Sequence, residues 1–212
     1  METRFIPEHI LDYCTATTSD LEGITEAIYE KSIRLPNSHM LIGHILGMLV
    51  HIIVLATKPK RVFELGAFTG FTSSLIAAAL TEDAVLISSE ENKKHYDVAA
   101  DNLRVYIESG KLQLFHCDGM ELLSGRSFGT FDIIFIDARR ESFCDKLDII
   151  YSRLSEKGLL FVDNSLAGLA VFSPQKTWEV LTREFNEAIK KDIRFKVVQL
   201  PIRDGLTLAI KK

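Results

Sequence analysis

Acidic and amide side chains stand at the ends of five apolar segments of this chain. They are Glu64 with Gly66, then Glu90, Asp118, Asp137 and the pair Asp163-Asn164. In an open parallel sheet, ligands gather at the carboxyl ends of the strands, where such groups can bind hydroxyls or hard cations. Each residue taken alone has a second interpretation, as the cap of the loop or helix that follows it.

The first of these ends carries a glycine-bounded turn, residues 64–70. Glycine lets the backbone pass close to a ligand and enter a helix without a Cβ clash. The spacing is not Gly-x-Gly-x-x-Gly, which disfavours a nicotinamide oxidoreductase and suits a nucleoside ligand without a pyrophosphate. Glu90, after the second segment, is placed to accept both hydroxyls of a ribose.

Asp137 and Asp163 follow the fourth and fifth apolar segments. If these segments are neighbouring strands about 4.8 Å apart, the two carboxylates converge and repel each other unless they share a proton or a cation. With Asn164 they form a set of hard oxygen ligands that predicts Mg²⁺, Mn²⁺ or Ca²⁺ binding. The alternative is that both aspartates cap turns or helices.

Regular alternation of strands and helices would position these side chains. Residues 1–58 are predicted as helices, one of them capped at Ser19-Asp20 and ending near Arg34, and an apolar one ending near Thr57. After it, helices are predicted through Leu80 and over 93–109, 143–153 and 178–191. Strands are predicted at 61–65, 84–89, 111–117, 131–136, 158–162, 195–200 and 206–211.

Repeated βα units predict an α/β fold with a doubly wound, Rossmann-like sheet. The sheet is mostly parallel, closes with a C-terminal antiparallel strand, and carries helices on both faces. Since no composition break separates a second unit, we expect one domain over 1–212, with N-terminal helices at 1–58 and the core at 59–212.

Composition limits the remaining classes of function. A net charge of −4 provides no broad basic face for nucleic acid. Cys14, Cys117 and Cys144 are far apart and form no Cys-x-x-Cys pair, which favours a cytoplasmic protein with reduced thiols. His44 and His51 interrupt the most apolar stretch, so a buried helix is favoured over a membrane helix, and packing over a zinc site.

Four motifs together resemble the cation-dependent class I S-adenosylmethionine (SAM) O-methyltransferases, the family of caffeoyl-CoA and catechol O-methyltransferases. The motifs are ELGAFTGFT, SSEENKKHYDVAADNL, FDIIFIDARRESF and GLLFVDN, in that order, with Asp204 to Leu208 near the C-terminus. The resemblance implies SAM as cofactor, a divalent cation, a small-molecule acceptor and a homodimer. It implies cofactor contacts for Ile42, Glu64, Gly66, Thr72, Glu90, Asp118, Gly119 and Asp137. It also implies metal binding by Asp137, Asp163 and Asn164.

The chain departs from the family pattern beside the expected acceptor pocket. The family has Asp-Ala-Asp-Lys after the fourth strand, whereas this chain has Asp137-Ala138-Arg139-Arg140. Arginine stays protonated, so Arg140 cannot take the acceptor's proton, although it can stabilise an oxyanion or bind an anionic acceptor. The alternative is that Arg140 forms a surface salt bridge with Glu141. Phe143 replaces a common tyrosine. The predicted catalytic residues are Asp137 and Arg140.

We therefore expect a metal-assisted O-methyltransferase for a small hydroxylated acceptor, a catechol being one candidate. The alternative is a catalytically altered SAM-binding protein with another acceptor or no turnover.

Overall fold

The computed structural model describes residues 6–125, 128–137 and 144–212. In this part of the chain seven strands form one sheet in the order β3-β2-β1-β4-β5-β7-β6. Strands β1 to β5 run parallel, and β7 lies antiparallel between β5 and β6. The strands are β1 (Arg61–Leu65), β2 (Val85–Glu90), β3 (Leu112–His116), β4 (Phe131–Ile136), β5 (Leu154–Asp163), β6 (Phe195–Leu200) and β7 (Leu206–Lys211). The predicted fold class is confirmed.

Helices precede and connect the strands. They are α1 (Glu8–Ala16), α2 (Gly23–Ser32), α3 (His44–Thr57), α4 (Phe71–Ala79), α5 (Lys93–Asn102), α6 (Arg104–Glu108), α7 (Gly119–Gly125), α8 (Leu147–Arg153) and α9 (Thr177–Lys191). Short 3₁₀ turns at Ser38–Met40, Cys144–Lys146 and Ala167–Phe172 complete the described elements.

Both faces of the sheet are covered because successive strand residues point to opposite sides. Val62 of β1 packs with α3 and α4 on one face, while Phe63 packs with α8 and α9 on the other. The same alternation separates Ile133 and Phe135 of β4 from Ile134. This two-sided burial explains why β4 reads as an almost continuous apolar run.

The apolar helix α3 packs on α4. A Cβ on Gly47 would lie 2.7 Å from Cδ1 of Leu75, so the glycine permits this close approach. His51 Nδ1 lies 2.8 Å from the Leu75 carbonyl oxygen, and His44 Nε2 lies 2.8 Å from that of Ser19. By length and composition alone the segment Ser38–Thr57 could cross a membrane; its contacts with α4 favour the core-helix interpretation.

Several predicted elements differ from the observed ones. Helix α2 begins at Gly23, after Glu22 rather than after a Ser19-Asp20 cap. The predicted helix 93–109 is broken at Leu103 into α5 and α6. Strand β5 begins at Leu154 rather than at Gly158, because an irregularity in register lets Leu154 pair with Phe131 before regular pairing resumes.

Candidate functional site

The order of strands changes direction at β1, which pairs with β2 on one side and β4 on the other. Ligands of doubly wound sheets bind at such a switch point, beyond the carboxyl ends of the strands. The turn after β1 and Asp137 after β4 both lie there, and the backbone N–H of Asp137 donates to the Leu65 carbonyl at 2.9 Å.

Hydrogen bonds and packing from β2 and α5 fix the turn after β1. The N–H groups of Gly66 and Ala67 both donate to the Ser89 carbonyl at 3.0 Å. Gly70 has φ +87°, where an L side chain is strained, and a Cβ there would lie 2.8 Å from Cγ of Leu103. The Asn102 amide also donates to the Thr69 carbonyl at 2.9 Å. The end of α5 thus fixes the turn.

A narrow cavity of about 10 Å³ opens at this turn. Three segments line it: residues 40–42 before α3, the turn and start of α4, and the end of β4. The lining residues are Met40, Leu41, Ile42, Gly66, Ala67, Phe68, Phe71, Thr72 and Asp137. The structure therefore brings together four predicted site residues, Ile42, Gly66, Thr72 and Asp137.

Glu90 ends β2 beside the same turn and is 8% exposed. Its Oε2 accepts the N–H of Phe68 at 2.8 Å, and its Oε1 accepts the N–H of Asn92 at 2.9 Å. The ring of Phe68 stacks edge-on against His95. These bonds fix the carboxylate at the strand end, where the sequence predicts ribose binding.

Glu64 is fully buried and does not line the cavity. The hydroxyls of Ser73 and Ser88 both donate to its Oε2, whereas Oε1 has no hydrogen-bond partner among the residues that the structure describes. Burial raises the pKa of this carboxyl to about 7, with Glu90 adding to the rise and the two serines opposing it. Glu64 supports the turn from within the core, and its predicted cofactor contact stays a prediction.

Asp118 and Gly119 begin α7. Asp118 is exposed, and its Oδ1 accepts the N–H of Glu121 at 2.7 Å, which is the capping role that the sequence left open. A Cβ on Gly119 would lie 2.5 Å from Oγ of Ser89 and 2.8 Å from Cγ of Leu65. Glycine is therefore required for α7 to pack on the ends of β1 and β2.

Strands β4 and β5 pair in parallel, so the strand ends that carry Asp137 and Asp163-Asn164 are neighbours. Asn164 donates its amide Nδ2 to Oδ1 of Asp137 at 3.1 Å. Asp163 has no exposed side-chain area, and Nη1 of Arg203 donates to its Oδ2 at 3.1 Å. A divalent cation needs oxygen ligands free of a competing cation, so this donor set does not fit one as it stands.

Among the described residues, no group of three or more His, Cys, Asp or Glu side chains is placed to hold a metal. The metal-binding roles of Asp137, Asp163 and Asn164 stay predictions. Arg140 and Phe143 lie outside the described residues, so the predicted catalytic role of Arg140 also stays a prediction.

Sequence reasoning missed the aromatic lining of the cavity and the basic residue beside Asp163. Phe68 and Phe71 lie inside the quoted motif, which already pointed at the turn. Arg203 is 40 residues from Asp163 along the chain. Its only sequence signal was its place directly before the Asp204-Gly205 pair.

Comparisons with known proteins agree with this geometry. The O-methyltransferase family model matches residues 15–212. Caffeoyl-CoA O-methyltransferase from Stellaria longipes is 25% identical over 185 residues, covering 81% of this chain and 76% of that protein. Caffeoyl-CoA O-methyltransferase 2 from Petunia hybrida is 26% identical over 179 residues, covering 78% and 72%.

Solved structures share the fold. The SAH-bound methyltransferase PaMTH1 from Podospora anserina has a TM-score of 0.86 and 20% identity, covering 97% of this chain and 94% of that one. TomG, an O-methyltransferase from Streptomyces achromogenes in complex with SAM, has a TM-score of 0.81 and 20% identity, covering 96% of each chain. With a family model that spans nearly all of its residues, the chain belongs to the O-methyltransferase family and is a SAM-dependent O-methyltransferase.

Proposed function

We propose that this enzyme methylates a hydroxyl group of a small aromatic acceptor, which binds next to Asp137. The observation that carries the proposal is the cavity at the switch point, where the motif residues Gly66 and Thr72 meet Ile42 and Asp137. The plant relatives are named for caffeoyl-CoA, which supports a hydroxylated acceptor. A catechol is the first candidate to test.

The cavity residues fit the predicted cofactor. Gly66, with a positive φ of 94°, brings backbone without a side chain to the cavity wall, next to Phe68 and Phe71. Thr72 offers a hydroxyl near the start of α4, and Glu90 offers a fixed carboxylate at the end of β2. When bound, SAM would supply an electrophilic methyl group, whose bond to the sulfonium sulfur breaks to leave the neutral thioether of S-adenosylhomocysteine.

Asp137 is the one ionisable side chain among the described residues that line the cavity. Formation of the new oxygen–carbon bond requires the acceptor hydroxyl to lose its proton. A carboxylate at this position can accept a hydrogen bond from that hydroxyl, orient its oxygen and take the proton. The Asn164 amide holds Oδ1 of Asp137 in place for this role.

The experiment combines calorimetry with SAM and methyl transfer from labelled SAM to a panel of phenols and catechols. Asp137→Asn keeps the shape of the side chain and should lower kcat by about 10²–10⁴-fold. Calorimetry of the same variant with SAM separates a loss of cofactor binding from a loss of the chemical step. Asp148→Asn is the matched control, because the Asp148 side chain is 85% exposed on α8. Full turnover by the Asp137 variant would refute the proposed role.

SAM binding without transfer to any acceptor would instead favour the altered, non-catalytic alternative. The metal assistance predicted from the sequence enters no step of this proposal, because the donor set does not fit a cation.

We also propose a cytoplasmic homodimer. The apolar side chains of Ile52 and Leu55 on α3 are 54% and 49% exposed, and they offer a face for a second copy. Light scattering of the purified protein tests this, and a monomeric mass at high concentration would contradict it.

A further inference from the structure

Arg203 lies in the turn between β6 and β7, whose backbone is docked on the segment after β5. Ser165 N–H donates to the Gly205 carbonyl at 2.9 Å, and Leu166 N–H donates to that of Asp204 at 2.7 Å. The Gly168 N–H bonds to Oδ1 of Asp204 at 2.6 Å. The backbone that carries the Arg203 side chain is therefore fixed relative to the end of β5.

The guanidinium of Arg203 makes two contacts at once. Nη1 donates to Oδ2 of Asp163 at 3.1 Å, and Nη2 donates to the His39 carbonyl at 2.7 Å. Asp163 has no exposed side-chain area, whereas Arg203 is 28% exposed. A buried carboxylate requires a counter-charge, and a guanidinium is protonated at every accessible pH.

We propose that Arg203 supplies the positive charge at Asp163 that the family pattern assigns to a divalent cation, so that methyl transfer by this enzyme is independent of metal. The inference rests on the proposed function, since it concerns the same site. The Asn164 amide completes the arrangement, because it presents a donor rather than an oxygen to Asp137.

A cation entering this site would meet the guanidinium as a competitor for Asp163. Like charges a few ångströms apart repel strongly in a partly buried site. Arg203 would have to give up both Asp163 and His39 to admit the ion.

The second contact gives Arg203 a positioning role as well. His39 belongs to the 3₁₀ turn Ser38–Met40, and residues 40–42 form one wall of the cofactor cavity. The guanidinium thus ties that wall to the end of β5, so loss of the contact should weaken cofactor binding.

The test is Mn²⁺ binding, followed by electron paramagnetic resonance of MnCl₂ titrated into the wild type, Arg203→Gly and Arg203→Lys. Glycine suits the positive φ of 53° at this position. We expect Arg203→Gly to bind Mn²⁺ at least about 10-fold more tightly than the wild type. Asp163→Asn added to Arg203→Gly should abolish that gain. Arg203→Lys retains the charge and should exclude Mn²⁺ as the wild type does.

Arg104→Ala is the control for general loss of an arginine, since Arg104 pairs with Asp101 on the surface, and it should leave Mn²⁺ binding unchanged. Wild-type turnover should persist after exhaustive chelation. In calorimetry without metal, SAM affinity should fall for Arg203→Gly.

Two results would overturn the inference: turnover of the wild type that is lost on chelation and restored by Mn²⁺, or Mn²⁺ affinity that is the same with and without Arg203. Thermal unfolding of each variant shows whether it is folded. Failure of the proposed function has a different signature, namely no SAM binding or no transfer to any acceptor with or without Mn²⁺.

Discussion

The buried carboxyl of Glu64 makes the stability of this protein depend on pH in a predictable direction. Burial raises its pKa from an ordinary 4.5 to about 7. Because one pKa unit corresponds to about 1.4 kcal/mol, this rise in pKa corresponds to about 3 kcal/mol of free energy of unfolding. Below pH 4.5 the carboxyl is protonated in both the folded and the unfolded chain, so it contributes no pH dependence there.

Between pH 4.5 and about 7 the unfolded chain releases this proton while the folded chain keeps it. Stability therefore falls as pH rises through this window, and the full penalty is present above the folded pKa. Glu64→Gln has nearly the same shape, cannot ionise, and still offers an oxygen to Ser73 and Ser88.

We expect Glu64→Gln to exceed the wild type's free energy of unfolding by less than about 1 kcal/mol at pH 5 and by up to about 3 kcal/mol at pH 8. Urea denaturation of both proteins at several pH values measures the difference. Glu108→Gln, at the exposed end of α6, is the control and should give a flat difference. A Glu64→Gln variant that is equally destabilised at pH 5 and pH 8 would refute the reasoning.

Two further variants test the packing around the site. Gly119→Ala places a Cβ 2.5 Å from Ser89 Oγ and should lower the free energy of unfolding by about 1–3 kcal/mol. Gly125→Ala, at the other end of α7, has no described atom within 4 Å of its new Cβ and should not lower it. An equal loss for both variants in urea denaturation would contradict this account. Ser73→Ala removes a donor to the Glu64 carboxylate. It should cost more stability at pH 8 than at pH 5, and a cost independent of pH would show that this bond does not serve the ionised form.

Strands were the most predictable part of the fold. The predicted limits of β1, β4, β6 and β7 coincide with the observed ones. Polar or turn residues on both sides of an apolar run mark where the strand begins and ends. The start of β5 was missed because Ser155, Glu156 and Lys157 are polar. They lie in the irregular stretch between the Phe131–Leu154 pair and the Ile133–Leu159 pair.

Helix limits depended on tertiary contacts. The chain over 93–109 has continuous helical character, yet it breaks at Leu103, where that side chain packs on Gly70 of a distant turn. The short α7 was missed because its formation depends on Asp118 as a cap and on the close fit of Gly119 against β1 and β2.

The places of the site residues at the strand ends were predicted better than the contacts that their side chains make. The sequence predicts that Asp137 and Asp163 follow neighbouring parallel strands, and the pairing of β4 with β5 agrees. It does not predict that Arg203 bonds to Asp163, since that contact depends on how the β6–β7 turn docks. Likewise, the sequence around Glu64 does not indicate that its buried carboxylate accepts hydrogen bonds from Ser73 and Ser88.

The close packing of Leu103 on Gly70 limits which substitutions this sequence can tolerate at the two positions. A residue with a side chain at position 70 would have an unfavourable positive φ and would also clash with Leu103. Both effects lower the free energy of unfolding. A smaller residue at position 103 removes only the second penalty. We therefore expect substitutions in related sequences to occur in a fixed order. Leu103 should be replaced by a smaller residue before Gly70 is replaced by a residue with a side chain.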